Sequence, residues 1–546
     1  VPLGRLGFRT IEADTTDGGF SLRVNGVPVF CRGACWTPLD AVSLRATPEA
    51  CRVAVAQVRD AGMNMLRVAG TGVYEDSAFF DACDALGVLV WQDFMFANMD
   101  YPEGDDAFMA SVRDEAAQQL AIWQARPSLA VLCGNSEVEQ QAAMWGAARE
   151  LWQPPLFHET LAQWARAALP GVPYWPSSAH GGAFPHQSNA GTSSYYGVGA
   201  YLRPAADARR ADLRFATECL AFANVPEDST VARMPGGLGL RVHHPGWKAR
   251  TPRDLGAGWD FEDVRDHYLA EHFGIDALKC RYADHERYLA LSRAVTGEMM
   301  SAAFTEWRRP GSRCGGALVL FLRDLWAGAG WGLIDDAGVP KPCFYALSRA
   351  LQPQSVAITD EGGNGLVAHV TNELAEDLHG ELQLTLYGSG DAVIEQTRSA
   401  LQVGARSGLS LPLAARLGHF LDLSYAYRFG PPPVTLVHTR MSRPDGSVVG
   451  EAFFLPAGAA PGPRQDLGLR AQLVTGEGGQ GELLVSSERF AHTVHLDLDG
   501  AAPADNYFHL APGVQRRIAL RPSGSVPVKG RVSALNADRA ITLQRA

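Results

Sequence analysis

Two acidic residues stand directly beyond short apolar runs. Glu137 ends Leu132-Cys133-Gly134-Asn135-Ser136-Glu137, and Glu218 ends Leu213-Arg214-Phe215-Ala216-Thr217-Glu218. A short apolar run reads as a buried strand, so each acid falls at a strand's C-terminal end. In a barrel of parallel strands, that is the face where side chains from different strands converge. Two carboxyls across such a mouth suit the cleavage of a glycosidic bond with retention. One attacks the anomeric carbon, and the other protonates the leaving oxygen and then deprotonates water, with the pair about 5–5.5 Å apart. From spacing alone, the plainer reading is a pair of ordinary solvated acids on a barrel rim.

The elements that must position these acids can be read around them. Runs at 27–32, 64–68, 88–91, 129–132 and 316–322 are expected strands, with weaker strand signals at 173–177, 193–196 and 213–217. Helical spacing of apolar residues predicts helices over 48–60, 77–86 and 107–124, with Pro127 ending the last. About eight strands alternating with helices or long loops predict a (β/α)8 TIM barrel with insertions, chiefly after the seventh strand. A doubly wound sheet is the rival, but no Gly-rich phosphate turn follows any of these strands. After Pro353 the helical signal ends, and strand-like runs at 366–370, 381–386, 483–487 and 493–498 alternate with Gly, Pro, Asp and Asn turns. The expected fold class is therefore multidomain, α/β plus all-β: the barrel over 21–352, then immunoglobulin-like β-sandwiches over 353–458 and 459–546. The Pro/Gly/Ala-rich stretch 456–463 is the expected joint, and residues 1–20 read as the remnant of a preceding β domain with its linker.

Length and composition bound the rest. At roughly 150 residues per domain, 546 residues predict about three or four domains. The 48 basic and 59 acidic residues give a net charge of −11, which offers no electrostatic reason to bind nucleic acid or anionic lipid. No apolar run approaches the roughly 18 residues of a membrane span. Nine cysteines without a C-x-x-C pair, several inside apolar runs, are expected as buried thiols, with no disulfide scaffold, metal or cofactor. The sequence opens on Val1-Pro2-Leu3-Gly4-Arg5, without an initiator Met or signal peptide. Any address label is expected to lie upstream, which leaves cytoplasm and periplasm open.

Further motifs run in order along the chain. They are Val24-Asn25-Gly26-Val27-Pro28-Val29-Phe30 with Arg32-Gly33, Asn64-Met65-Leu66-Arg67-Val68, Tyr74-Glu75, and Val90-Trp91-Gln92-Asp93-Phe94-Met95-Phe96. Later come Gly297-Glu298-Met299, Trp307-Arg308-Arg309 and Asp505-Asn506-Tyr507-Phe508 with Pro512-Gly513. Together they resemble glycoside hydrolase family 2, in its β-mannosidase branch, over nearly the whole chain. The resemblance implies a retaining exo-β-glycosidase, with Glu137 as general acid/base and Glu218 as nucleophile. It implies that Arg67 keeps the nucleophile ionised, that Asp93 bonds sugar hydroxyls, and that Trp145 walls the sugar pocket. A structural ion pair for Arg67 and Asp93, and helix packing for Trp145, are the plainer alternatives.

The chain also departs from the branch's pattern. Ser136 stands where the branch has the Asn that contacts the 2-hydroxyl, with Asn135 one step earlier. Ala69, Tyr196 and Leu320 stand where it has Trp, and Arg323-Asp324 where it has Asn-Asp. Lost indole faces predict a rebuilt pocket, poor turnover of plain aryl β-mannosides, and preference for a modified or differently configured sugar. Transfer to a carbohydrate acceptor and a catalytically weak sugar-binding protein are the alternatives. The sandwiches show no clustered aromatic platform in sequence. The family's N-terminal domains are missing, which leaves room for a separate chain that carries them, and a homodimer stays open.

Overall fold

The computed structural model describes residues 7–476, 481–524 and 526–545. Residues 1–6 of the expected N-terminal remnant, including the opening pentapeptide, lie outside them. Asn25 and Gly26 take φ of 52° and 75°, the left-handed pair that a tight hairpin turn requires. That turn joins β2 (Ser21–Val24) to β3 (Val27–Val29), and β1 (Ile11–Asp14) pairs antiparallel with β2. The expected strand 27–32 is thus two strands in different sheets. β3 belongs to this hairpin, and β4 (Cys31–Cys35) begins the barrel.

The small sheet lies against the N-terminal ends of the barrel strands. Arg9 donates to the Pro127 carbonyl at 2.9 Å, and Phe20 fills the barrel interior. The Phe20 ring stands 5.4 Å from Trp91, 4.6 Å from Trp175 and 5.2 Å from Phe215, centroid to centroid.

The ring itself continues with β5 (Met65–Val68), β6 (Leu89–Asp93), β7 (Leu129–Cys133), β8 (Tyr174–Trp175), β9 (Ser193–Tyr195), β10 (Ala216–Cys219) and β11 (Gly316–Val319). All ladders are parallel and β11 pairs with β4; β8 and β9 end the strand order, and an isolated antiparallel bridge between His180 and Thr192 joins the segments after β8 and before β9. Strands buried on both faces read as short apolar runs, which is why the eight expected strands are found. Gly33 is required by close approach, because a Cβ there would stand 1.7 Å from the Met65 carbonyl oxygen. Helices α1 (Pro48–Asp60), α2 (Ser77–Leu86) and α3 (Asp106–Trp123) cross between the early strands. Thr47 caps α1 by accepting the Ala50 N–H at 3.2 Å, with Pro48 where no donor is needed. The long insertion follows β10, the seventh barrel strand, as expected.

One strand is displaced from expectation. Leu213 and Phe215, read as strand, are buried core ahead of the ladder, and β10 starts at Ala216. Glu218 consequently lies within the strand, where the register shifts between Ala216 and Cys219.

The chain divides into two compact units, Val1–Val264 with Glu306–Pro340 and Arg265–Thr305 with Lys341–Ala546. The division falls inside two helices, Phe261–Phe273 and His285–Arg308. The second unit carries two pairs of sheets, antiparallel but for one parallel pairing of Gln472 and Leu473 with Gln544 and Arg545. The first pair has three and four strands, the second five and four. Each pair encloses its own apolar cluster, around Val370, Leu384 and Val437 in one and Leu483, Val494 and Ile518 in the other. Glu298 accepts from His272 at 2.8 Å in this unit, with His492 and His509 at 3.9 and 3.8 Å. Eight of the nine cysteines are buried and Cys280 is half-buried, and no helix among the described residues is long and apolar enough to cross a membrane.

Candidate active site

A buried guanidinium must be paired, because an isolated charge inside a protein loses several kcal/mol of hydration. Arg67, at the C-terminal part of β5, is fully buried and meets two carboxylates. Its Nη2 donates to Asp93 at 2.8 Å and its Nη1 to Glu218 at 2.8 Å. Nη2 also donates to the Ser136 hydroxyl at 3.0 Å, and Nη1 to the Thr217 carbonyl at 3.2 Å. Burial alone would disfavour the charge, but Asp93 and Glu218 hold Arg67 well above its ordinary value. One cation thus ties β5 to β6 and to β10 across the ring.

Glu218 has a second partner, the Tyr196 hydroxyl, which donates to Oε2 at 2.5 Å. Glu137 is held differently. It occupies the N-terminal boundary of α4 (Val138–Met144) in the left-handed region, φ 62° and ψ 11°, which is uncommon for a side-chain-bearing residue. Its carboxylate accepts from Ser194 Oγ at 2.6 Å, Gln140 Nε2 at 3.0 Å and Gln141 Nε2 at 2.9 Å. All three donors are neutral. Burial raises the Glu137 pKa, and the negative charge of Glu218 raises it further; the Ser194 and Gln141 bonds and Arg67 oppose without cancelling. The arrangement therefore offers one carboxylate beside a fixed cation and one inclined to keep its proton.

Three of the residues expected as sugar contacts have the following surroundings. Asp93 is 0% exposed, and its oxygens take Arg67, the Gly70 N–H at 3.1 Å and the Trp91 indole at 2.9 Å. It forms a buried ion pair with Arg67 at 2.8 Å. Asn135 is equally buried and is consumed by the scaffold: it donates to the Pro176 carbonyl and accepts from Val138 N and Ser177 Oγ. Trp145 stands at the end of α4, 87% exposed, outside the hydrogen-bonded cluster. Ser136 is buried with its hydroxyl on Arg67, and Tyr196 bonds Glu218, so both belong to the cluster.

Ser194, Gln140 and Gln141 are the site residues that sequence reasoning missed. The glutamines had a signal, since i+3 and i+4 from Glu137 share one helix face. Glu139 was missed too: fully buried, it faces His158 Nε2 at 2.6 Å and His180 Nδ1 at 3.0 Å. The three donor atoms lie within 4.8 Å of one another, a set able to hold a divalent cation, although the two ring N–H groups satisfy the carboxylate without one.

A cavity of about 470 Å³ opens beyond the C-terminal ends of β11, β4 and β5, with Ala69 in its wall. Neither Glu137 nor Glu218 lines it. Leu320 is buried beside it in sequence but is not part of its wall.

No family model matches the chain. Among curated proteins it is similar to the β-mannosidase B of Emericella nidulans, 30% identical over 399 residues that cover 67% of this chain and 44% of the relative. The β-mannosidase B of Neosartorya fischeri is 26% identical over 571 residues, covering 96% of this chain and 64% of the relative. Among solved structures, the β-D-mannosidase of Dictyoglomus thermophilum superposes with a TM-score of 0.83 at 23% identity, over 99% of this chain and 64% of that one. The exo-chitosanase of Amycolatopsis orientalis gives 0.74 at 18% identity, over 98% and 66%. The two solved structures bear on the fold. The chain spans between 44% and 64% of the length of these two curated relatives. In sequence the chain is similar to the β-mannosidases B, and in fold it is similar to the β-D-mannosidase.

Proposed function

We propose that this chain carries the catalytic barrel of a retaining exo-β-glycosidase acting by double displacement on a terminal β-linked sugar. The observation that carries the reading is the contrast between its two carboxyls: Glu218 paired with Arg67, and Glu137 raised in pKa among neutral donors. In the first step a Glu218 oxygen bonds to the anomeric carbon as the bond to the leaving oxygen breaks, and Glu137 gives that oxygen its proton. Arg67 and Tyr196 hydrogen-bond the two oxygens of the nucleophile and hold it in place for attack. Once Glu218 is an ester, its charge no longer disfavours ionised Glu137. Glu137 then takes a proton from water as the water oxygen bonds to the same carbon and the ester bond breaks. Two inversions give net retention.

The glycone is open within this reading. The curated relatives are named β-mannosidases, while Ser136 and Ala69 depart from that pattern and the Ser136 hydroxyl is spent on Arg67. Plain aryl β-mannosides are therefore expected to be poor substrates, and transfer to a sugar acceptor is a further outcome of the same intermediate.

The test is a pair of variants with a stereochemical assay. Glu218→Gln should lose turnover by several orders of magnitude, since an amide cannot form the glycosyl ester. Glu137→Ala should recover turnover with azide on aryl glycosides that have good leaving groups. Proton NMR should show the first product with its anomeric configuration retained. An inverted product, or wild-type turnover in Glu218→Gln, would end the assignment.

A further inference from the structure

The cavity beside Ala69 has a definite place relative to the two carboxyls. In ring order β4 is flanked by β11 and β5, and β8 stands diametrically opposite, flanked by β7 and β9. The cavity wall comes from the segments that follow β11, β4 and β5. Glu137 follows β7, and its carboxylate is gripped by Ser194 of β9. Cavity and Glu137 thus occupy opposite sides of the barrel mouth, with Arg67 and Glu218 bonded to each other between them.

That placement decides which end of a substrate the cavity can meet. A general acid must reach the glycosidic oxygen, so the leaving group departs on the Glu137 side. What enters the cavity is attached to the glycone, away from its anomeric bond. The wall supplies four aromatic rings, Trp36, Phe321, Trp326 and Trp331, of which Trp326 is 52% exposed. Flat rings of this kind cover the C–H faces of a pyranose. Glu75 and Arg250 stand among them. An acyl or alkyl group filling the same space would desolvate these charged groups without replacing their hydrogen bonds, whereas sugar hydroxyls would replace them. The volume is in the range of small-molecule sites.

We propose that this cavity is a subsite for a second sugar residue carried by the glycone, so that the terminal unit cleaved off is a disaccharide rather than the single sugar of the exo reading above. The inference rests on the glycosidase reading above, and its test separates the two. Turnover of 4-nitrophenyl β-mannoside, β-glucoside and β-glucosaminide is compared with that of the same glycosides extended by one hexose at O3, O4 or O6, and with an O6-benzoylated set. At least one extended glycoside should exceed its parent in kcat/KM by about tenfold or more, a difference of about 1.4 kcal/mol in transition-state binding.

Ala69→Trp, which fills the cavity, and Trp326→Ala, which removes an exposed ring, should each bring that ratio to about one. Should Ala69→Trp fail to fold, Trp326→Ala reads the same ratio. A wild-type preference for the parent glycosides or for the benzoylated set overturns the proposal, as does a ratio unmoved in both variants. If no glycoside turns over, the glycosidase reading fails by itself. The subsite is then read by tryptophan fluorescence with the free disaccharides, and equal affinity in wild type and Trp326→Ala overturns it.

Discussion

Glu218 and Glu137 are the same side chain in opposite company. The first faces a guanidinium at 2.8 Å, and the second accepts from a serine and two glutamines. The Ser194 bond favours the ionised form of Glu137, while burial and the charge of Glu218 favour the protonated one. In the proposed mechanism the protonated acid is required for the first step, so a raised pKa would carry activity to higher pH before ionisation ends it. Ser194→Ala removes a donor to the ionised form and should move the high-pH limb of kcat/KM upward by about one pH unit, within the worth of a charge-assisted hydrogen bond. A pH-rate profile measures this, and a limb that stays or moves down would remove Glu137 from the acid's role. Both acids and Arg67 were legible in sequence because each ends or interrupts an apolar run and the ordered motifs around them resemble a family. Ser194 was not, since one serine in Ser193-Ser194-Tyr195 differs from its neighbour only in which way the strand turns it.

Local signals located some elements to the residue and misplaced others. Thr47-Pro48 and the helical spacing of Ala54, Val55 and Val58 defined α1, whereas Leu213 and Phe215 mimicked strand while serving as core ahead of β10. The small sheet of β1, β2 and β3 was hidden because β3 and β4 form one apolar run in sequence and part company only through pairing with different sheets. Its anchor is Phe20, 2% exposed among three aromatic rings. Phe20→Ala should destabilise the first unit by about 3–5 kcal/mol, the range for a buried aromatic truncated to alanine. Urea denaturation followed by tryptophan fluorescence checks this, given Trp91 and Trp175 in the same cluster. A loss below about 1 kcal/mol would mean that the hairpin sheet is not coupled to the barrel interior.

The second unit carries a cluster sensitive to acid. Burial works against ionised Glu298 in the second unit, but His272, His492 and His509 bring its pKa down to about 2. Burial holds His509 down to about 3, and lowers His492 as well. Histidines neutral in the fold yet protonatable near 6.5 once unfolded withdraw stability as pH falls below about 6.5. Glu298 gives up its own contribution as pH falls from about 4 toward 2, while raised His272 acts in the opposite sense and loses its contribution as pH rises. Calorimetric melts should show the second unit's transition falling between pH 6.5 and 3, and His509→Gln should flatten that fall; an unchanged slope would show that other groups govern it. The barrel's two carboxyls are spaced by another device. Ser194 and Tyr196 lie two residues apart on one chain segment, and one holds Glu137 while the other holds Glu218. Ser194 lies in β9 and Tyr196 just past its end, so one short segment serves as the gauge between the two carboxyls. The wall of the cavity beside Ala69 comes from other segments. Such a molecule can drift in what it selects while its gauge stays calibrated, and exchanging the 321–331 or 250–253 loops between relatives should alter selection before it alters the reaction.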